Sequence, residues 1–459
     1  MKNLNVVILA AGQGKRMFSN LPKVLHTIGN KPMLQHVIET ALKLNPTKLI
    51  IVYGHGGEKV KQVINEAMPN NKITWCLQDQ QLGTGHALKC AMNALDNDGS
   101  TLLLYGDVPL INVNYLSDML DKHSDNIVML TTRLDNPSGY GRILRNDNSE
   151  IIGIVEEKDA SQGEKYINEI NTGFYVFPNN YLPAWLNQLS NNNNQKEYYV
   201  TDLIAMAKKD QVEIDNVNAT NHGHCLGINN KLELEKLERL YQLDLANELL
   251  LSGATLLDKS RIDIRGKVIV GMDCVIDINC TFEGNVVLGN GVSIGVGCIL
   301  KNVEICDGVA IKPYSIIEGA VVGANSLVGP FARLRPGAKL SESSHVGNFV
   351  EIKNSTIGVA SKVNHLTYIG DAEIGAKVNV GAGSVTCNYD GKNKFKTVIE
   401  DNVFIGSGTM MVAPVTIASG GVIGAGSTIT KNTEKDELTV ARSKQQTIHG
   451  WLQRRNRKN

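Results

Sequence analysis

From about residue 265 an aliphatic side chain recurs at every sixth position, and this period limits the fold of the 459-residue chain more than any other feature. The series runs through 270, 276, 282 (Phe), 288, 294 and 300; 305, 311 and 317; 322, 328, 334, 340, 346 and 352; 357, 363 and 369; 374 and 380. It resumes at 399, 405, 411 (Met), 417, 423 and 429. Gly follows the aliphatic in many units, as in Leu288-Gly289, Val346-Gly347 and Ile405-Gly406. A hexapeptide period this long predicts a parallel β-helix. Each unit is expected to make one flat face of a triangular prism, so that three units close a coil and a residue stacks over its counterpart 18 positions later. Coils then rise by about 4.8 Å, and the inward aliphatics form ladders that fill the prism. Composition agrees: aromatics are only 5% of the chain and Gly reaches 44 residues.

The eight cysteines include no C-x-x-C pair and no close Cys/His cluster of metal-site spacing. Cys274, Cys280 and Cys298 each lie four positions after a ladder residue, where Ser326, Thr409 and Ser427 stand in other units. Small interior filler is therefore the expected role, and reduced thiols suit a cytoplasmic protein. Lys plus Arg (46) equals Asp plus Glu (46), so no global field gathers nucleic acid or an anionic membrane. No signal peptide or run of 18 apolar residues is present.

Residues 1–229 read differently. Short β-branched runs such as Val6-Val7-Ile8-Leu9, Leu49-Ile50-Ile51-Val52 and Thr101-Leu102-Leu103-Leu104 alternate with helical patterns, one of them Met33, Val37, Ile38, Ala41, Leu42. This alternation predicts a Rossmann-like α/β domain with a mostly parallel sheet, whose ligands bind beyond the carboxyl ends of the strands. Residues 230–252 read as a linker helix with apolar positions at 234, 237, 241 and 245 and Gly253 after it, and a short dimerising coiled coil is the alternative. Residues 253–459 form the β-helix and a basic tail with Arg442, Lys444, Arg454, Arg455, Arg457 and Lys458. Such a tail is usually solvated.

Three loops of the first half carry chemistry. Leu9-Ala10-Ala11-Gly12-Gln13-Gly14-Lys15-Arg16-Met17 follows the first strand and precedes Leu21-Pro22-Lys23. Its glycines let backbone amides approach a phosphate chain, and Arg16 and Lys23 can neutralise it. It is neither a dinucleotide fingerprint nor a Walker A loop. Gln78 through His86, containing Gly83-Thr84-Gly85, offers amides that can read a base, and Tyr105-Gly106-Asp107 puts one carboxylate at the end of an apolar strand. An Asp there is often a turn former, but beside a phosphate loop it suits Mg²⁺ on a triphosphate.

As a set, these segments resemble the sugar-nucleotide pyrophosphorylases over most of residues 5–229. Lys15 departs from that family, which usually has Thr there. The resemblance implies that a sugar-1-phosphate attacks the α-phosphate of a nucleoside triphosphate and releases pyrophosphate. It implies nucleotide contacts at Leu9, Ala10, Ala11, Gly12, Gln78, Gly83, Thr84, Tyr105 and Gly106, with Arg16 and Lys23 catalytic on the phosphates. Mg²⁺ falls to Asp107 and Asn229, and the sugar to Gly141, Glu156 and Asn171.

Polar residues decorate the repeat between 331 and 390. Arg335 and Lys353 are 18 apart, so they are expected one above the other, with an anion between them to relieve repulsion. His365, near Tyr368 and Asn379, has an imidazole suited to taking a proton from an ammonium group. A break in the ladder between 380 and 399 leaves Asn388-Tyr389-Asp390-Gly391-Lys392-Asn393 to project. With the segments around Arg335, Lys353 and His365, this half resembles the hexapeptide-repeat acyltransferases, whose fold is a left-handed parallel β-helix. Both halves together resemble a bacterial family that carries N-acetylglucosamine-1-phosphate uridyltransferase and glucosamine-1-phosphate N-acetyltransferase in one chain. That resemblance implies UDP-N-acetylglucosamine synthesis for the cell envelope by a cytoplasmic homotrimer, with acetyl-CoA, UTP, glucosamine-1-phosphate and N-acetylglucosamine-1-phosphate as substrates. His365 is implied as general base, Arg335, Lys353, Tyr368, Asn379, Asn388 and Tyr389 as sugar-phosphate ligands, and Ala382, Ser407, Ala425 and Arg442 as acetyl-CoA contacts. The alternative is a sugar-1-phosphate nucleotidyltransferase with a purely structural β-helix; a third reading makes both halves a non-enzymatic assembly scaffold.

Overall fold

A computed structural model describes residues 3–54 and 56–455; Arg457 and Lys458 lie outside the described residues. The chain separates into two compact units, Met1–Tyr241 and Gln242–Asn459. The first is built on a nine-stranded sheet. Its main path runs Ile214–Asn218, Ile127–Arg133, Glu169–Pro178, Ser100–Tyr105, Leu4–Ala10, Lys48–Gly54, Ile73–Gln78. Pairing is parallel except at Glu169–Pro178, which runs antiparallel to both neighbours. A hairpin, Arg142–Arg145 with Ile151–Val155, joins that strand at Ile170.

Side chains alternate across a strand, so Val6 and Ile8 pack with helices Met33–Leu42 and Glu58–Ala67, while Val7 and Leu9 pack with Thr84–Ala91 and Asp202–Lys209. Burial on both faces explains why these strands read as continuous apolar runs. Four parallel strands end at one sheet edge, at Ala10, Gly54, Gln78 and Tyr105. That edge carries the three loops singled out above.

Helix Lys231–Leu251 starts on a reciprocal cap: Asn230 Oδ1 accepts from Glu233 N at 2.9 Å, and Asn230 Nδ2 donates to Glu233 Oε1 at 2.7 Å. Leu237 is buried with Met17, Ile28 and Met33 in the first unit, and Leu249 belongs to the core of the second. The helix ends with Gly253 at φ +98° and Ala254 N donating to Leu249 O at 3.1 Å. A left-handed residue closing such a bond is the usual reason for Gly at a helix end.

The second unit is a parallel β-helix in which each strand pairs in parallel with its counterpart one coil on. Every expected ladder residue is buried except Val270, which is half-buried against the same core. The expected spacing of 18 holds at Arg333↔Glu351 and Phe404↔Val422, but Ile299 pairs Ile316 and Glu351 pairs Tyr368, 17 residues on. Five-residue units such as 300–305 and 352–357 account for this correction: dropping one outward residue shortens a coil without breaking the ladder. Val385 pairs Met410, 25 residues on, and the surplus is the projecting loop, closed by a bridge between Tyr389 and Lys394.

All eight cysteines are unpaired. Cys274, Cys280 and Cys298 are buried and donate to the carbonyls of Gly289, Gly295 and Lys312, the bond that Ser326 makes to Ser341 O. Burial pushes the Cys298 thiol up to about 12, so it is no nucleophile. Two substitutions test this division of labour by urea unfolding of the β-helix. Ile317→Ala, a fully buried ladder position, is expected to cost about 2–5 kcal/mol. Cys298→Ser is expected to cost less than about 1.5 kcal/mol, because size and hydrogen bond are kept.

Candidate functional site

At the sheet edge of the first unit lies a cavity of about 310 Å³. Leu9, Ala10, Ala11, Gly12, Lys23, Gln78, Gly83, Thr84, Tyr105 and Asp107, all singled out in the sequence, line it. Gln78 is nearly fully buried, and its amide donates to Gly83 O and to His86 Nδ1, both at 3.1 Å. With both hydrogens engaged, its carbonyl Oε1 is left to accept, which suits a ring N–H of a base. Gly83 sits at φ +110°, and a Cβ there would come within 2.5 Å of Tyr198 O. Gln81 also lines the cavity, and its Oε1 accepts from Gln13 across to the glycine loop at 2.9 Å. It was not singled out in the sequence, because its role needs two loops to meet. Arg16 is exposed on the turn Lys15–Met17 and does not line the cavity.

The three expected sugar-binding residues are brought together by strand pairing. Arg142 pairs with Val155 and with Ile170, so Gly141, Glu156 and Asn171 emerge side by side; Asn171 N donates to Gly141 O at 2.9 Å. Burial raises the Glu156 carboxyl above its ordinary range, partly offset by a hydrogen bond from Thr201 Oγ1. Tyr105 connects this cluster to the cavity: burial, then Glu156 and Asp107, raise its hydroxyl. A bulge between Asn171 and Tyr175 makes room for its ring, since a Cβ on Gly173 would lie 2.7 Å from Tyr105 Cε2.

Lys23 Nζ lies 2.5 Å from Asp107 Oδ2 and 2.9 Å from Asn229 Oδ1. Ile228 N donates to Asp107 O, and Asn229 N donates to Glu233 Oε2 at the start of the long helix, so backbone bonds hold Asn229 in place. Two hard oxygens thus already converge on a cation. No cluster of three or more His, Cys, Asp or Glu able to hold a metal occurs among the described residues. The pair therefore fits a hard divalent ion that draws its other ligands from substrate oxygens and water.

In the β-helix, Arg335 and Lys353 stand in register one coil apart, as expected. The anion expected between them is not required, because each has its own carboxylate: Arg335 Nη1 bonds Glu351 Oε1 at 2.9 Å, and Lys353 Nζ lies 3.6 Å from Asp371 Oδ2. Asp371 is a hub, accepting also from Asn354 Nδ2 at 2.7 Å and Asn388 Nδ2 at 2.5 Å, which anchors the base of the projecting loop. The crowded cation is Lys394 at the end of that loop, held below the ordinary lysine range by the Lys353 ammonium beside it. Asp371 and Lys394 line a cavity of about 410 Å³. Neither was singled out in the sequence, although 354, 371 and 388 follow a 17-residue spacing that recounting the short units reveals.

His365 is exposed at the end of strand Lys362–His365, and its Nδ1 lies 2.7 Å from Oδ1 of Asn348, its partner one coil earlier. An amide carbonyl only accepts, so Nδ1 carries the proton and Nε2 presents its lone pair. Strand pairing puts His365 and Asn379 in the 11-stranded sheet, and Lys353 and Tyr368 in the 16-stranded one. Asn379 thus lies on another face from Tyr368. Tyr389 is exposed on the projecting loop.

Ala382, Ser407 and Ala425 form a column: Gly408 N donates to Ala382 O and Gly426 N to Ser407 O, both at 2.8 Å, and Arg442 Nη1 donates to Ala425 O at 2.5 Å. The left-handed corner of the prism changes character alongside it. Tyr314, Phe331, Phe349 and Leu366 occupy that corner in lower coils, whereas Gly383, Gly408 and Gly426 occupy it here. The glycines leave a bare strip beside the column.

Three family profiles match the chain: nucleotidyl transferase over residues 5–221, GMPPB C-terminal domain over 264–342, and bacterial transferase hexapeptide (six repeats) over 396–431. A Bifunctional protein GlmU from Chromobacterium violaceum is 54% identical over 451 residues, 98% of either chain. A solved structure from Bacillus anthracis, assigned as a glucose-1-phosphate thymidylyltransferase in complex with a sucrose, aligns with a TM-score of 0.42 and 20% identity over 52% of this chain and 94% of that one. With a nucleotidyltransferase half, a hexapeptide-transferase half and a likeness that spans nearly its whole length, the chain belongs to the bifunctional GlmU family of enzymes that synthesise UDP-N-acetylglucosamine.

Proposed function

We propose that residues 253–459 acetylate glucosamine-1-phosphate from acetyl-CoA, and that residues 1–229 then join the product to UMP from UTP, with 230–252 as the connecting helix. His365 paired with Asn348 carries this reading, because a purely structural β-helix has no use for an exposed imidazole with a directed lone pair. The amine of the sugar attacks the thioester carbonyl, His365 Nε2 takes its proton, and as the C–S bond breaks the imidazolium returns that proton to the sulfur, so coenzyme A leaves as the thiol. Arg335, Lys353 and Lys394 hold the sugar phosphate with Tyr368, Asn388 and Tyr389. The column Ala382, Ser407, Ala425 and Arg442 lies along acetyl-CoA.

In the first half, a phosphate oxygen of N-acetylglucosamine-1-phosphate attacks the α-phosphorus of UTP, and the α–β bond breaks to release pyrophosphate. Gly12 and its neighbours cradle the phosphates, Arg16 and Lys23 neutralise them, and Gln78 Oε1 accepts the uracil imide N–H. Gly141, Glu156 and Asn171 hold the sugar. Mg²⁺ held by Asp107 and Asn229 would supply charge stabilisation to the triphosphate.

The working form is a homotrimer. Asn379 and Tyr368 lie on different sheets, which suits a site completed by a neighbouring copy. The exposed stack of Tyr314, Phe331 and Phe349, with ring centroids 5.3 and 5.4 Å apart, gives that copy an apolar surface to cover. No helix among the described residues is long and apolar enough to cross a membrane. The cytoplasm, where thiols stay reduced, is the proposed compartment.

Paired assays on purified protein test the two activities: thiol release from acetyl-CoA with glucosamine-1-phosphate, and pyrophosphate release from UTP with N-acetylglucosamine-1-phosphate. His365→Ala is expected to lower thiol release by about 10²–10⁴-fold and leave pyrophosphate release intact. Asp107→Ala is expected to do the reverse. Loss of both activities in either folded variant refutes two separate sites. Lys394→Ala is expected to raise KM for glucosamine-1-phosphate by about tenfold or more, the worth of one charge-assisted hydrogen bond, with KM for acetyl-CoA unchanged.

A further inference from the structure

Lys23 holds the same two oxygens that the reading above gives to the metal, and its surroundings are built for that pose. Its side chain is 10% exposed, and its ammonium reaches both Asp107 Oδ2 and Asn229 Oδ1. The stem runs against Gly14, where a Cβ would come within 2.7 Å of Lys23 Cβ and where φ is +62°. Any side chain at 14 would displace the lysine, which explains the second glycine of the loop.

An ammonium and a divalent ion drawn to the same oxygens compete for them and repel at contact distance, so each weakens the other's hold. Nor can Asp107, three-quarters buried, easily be left with no cation. We propose that Lys23 is a placeholder cation: without nucleotide its ammonium neutralises Asp107 and orients Asn229, and on arrival of a metal-bound triphosphate it releases both oxygens and turns to the phosphates. This rests on the assignment of Asp107 and Asn229 to the metal. A metal ion alone must evict a built-in cation without bringing it another anion. One that arrives with a triphosphate brings the new partner for Lys23, so metal and nucleotide bind as a unit.

Mn²⁺ is the probe, its free concentration followed by electron paramagnetic resonance with the full-length protein. Without nucleotide, Lys23→Met is expected to bind Mn²⁺ at least tenfold more tightly than the wild type. Lys23→Arg, which keeps the cation, is expected to match the wild type, and adding Asp107→Asn to Lys23→Met is expected to abolish the gain. A folded Lys23→Met that binds Mn²⁺ no more tightly than the wild type overturns the placeholder role; Lys23→Ala gives the same comparison if the Met variant does not fold. The metal assignment has its own readout in the wild type with UTP. Tight Mn²⁺ binding there that is lost in Asp107→Asn supports it, and none overturns the assignment and the placeholder with it.

Discussion

Parallel strand pairing does the same work in both halves of this chain. Hydrogen bonds between neighbouring strands lock residues remote in sequence into register, and whatever follows or flanks those residues is delivered to a common edge or column. In the first unit the register of Leu4–Ala10 with Lys48–Gly54 and Ser100–Tyr105 brings the glycine loop and Asp107 to one sheet edge. In the second, pairing one coil on sets Arg335 over Lys353 and Asn348 over His365. Without that register, pairs such as Lys23 with Asn229 and His365 with Asn348, 206 and 17 residues apart in the chain, would not meet.

Both sites also manage charge with ordinary hydrogen-bonding partners. Asp107 and Asn229 hold Lys23, Asp371 holds Lys353 with two amides, and Glu351 holds Arg335. The cations proposed to meet phosphate are thereby kept oriented and compensated, which spares the protein an isolated charge in a partly buried place. Lys394 is the exception, crowded by Lys353 on a loop whose geometry comes from a small bridge and from Asn388 beneath it. A site that binds an anion gains from such crowding, because the ligand relieves it.

The β-helix was legible because its core repeats. One inward aliphatic per unit is a local rule, and the structure buries each expected ladder residue but Val270, which sits in the first coil where no earlier coil covers it. The interior role of Cys274, Cys280 and Cys298 followed from the same rule. Spacing was less secure: a five-residue unit changes a coil from 18 to 17, so the partner of His365 is Asn348 and the hub beside Lys353 is Asp371, both missed by counting in eighteens.

By itself the sequence determined the two architectures, the three loops that meet at the sheet edge and most of the residues lining the first cavity, because periodicity and glycine-rich turns are local signals. Only the tertiary structure decided which polar atoms remain open. It engaged both amide hydrogens of Gln78, left Arg16 outside the cavity, set the tautomer of His365 through Asn348 and gave Arg335 and Lys353 a carboxylate each. Those outcomes depend on which groups converge across strands and loops far apart in the chain. Hydrogen-bond valence is settled only when every partner is in place.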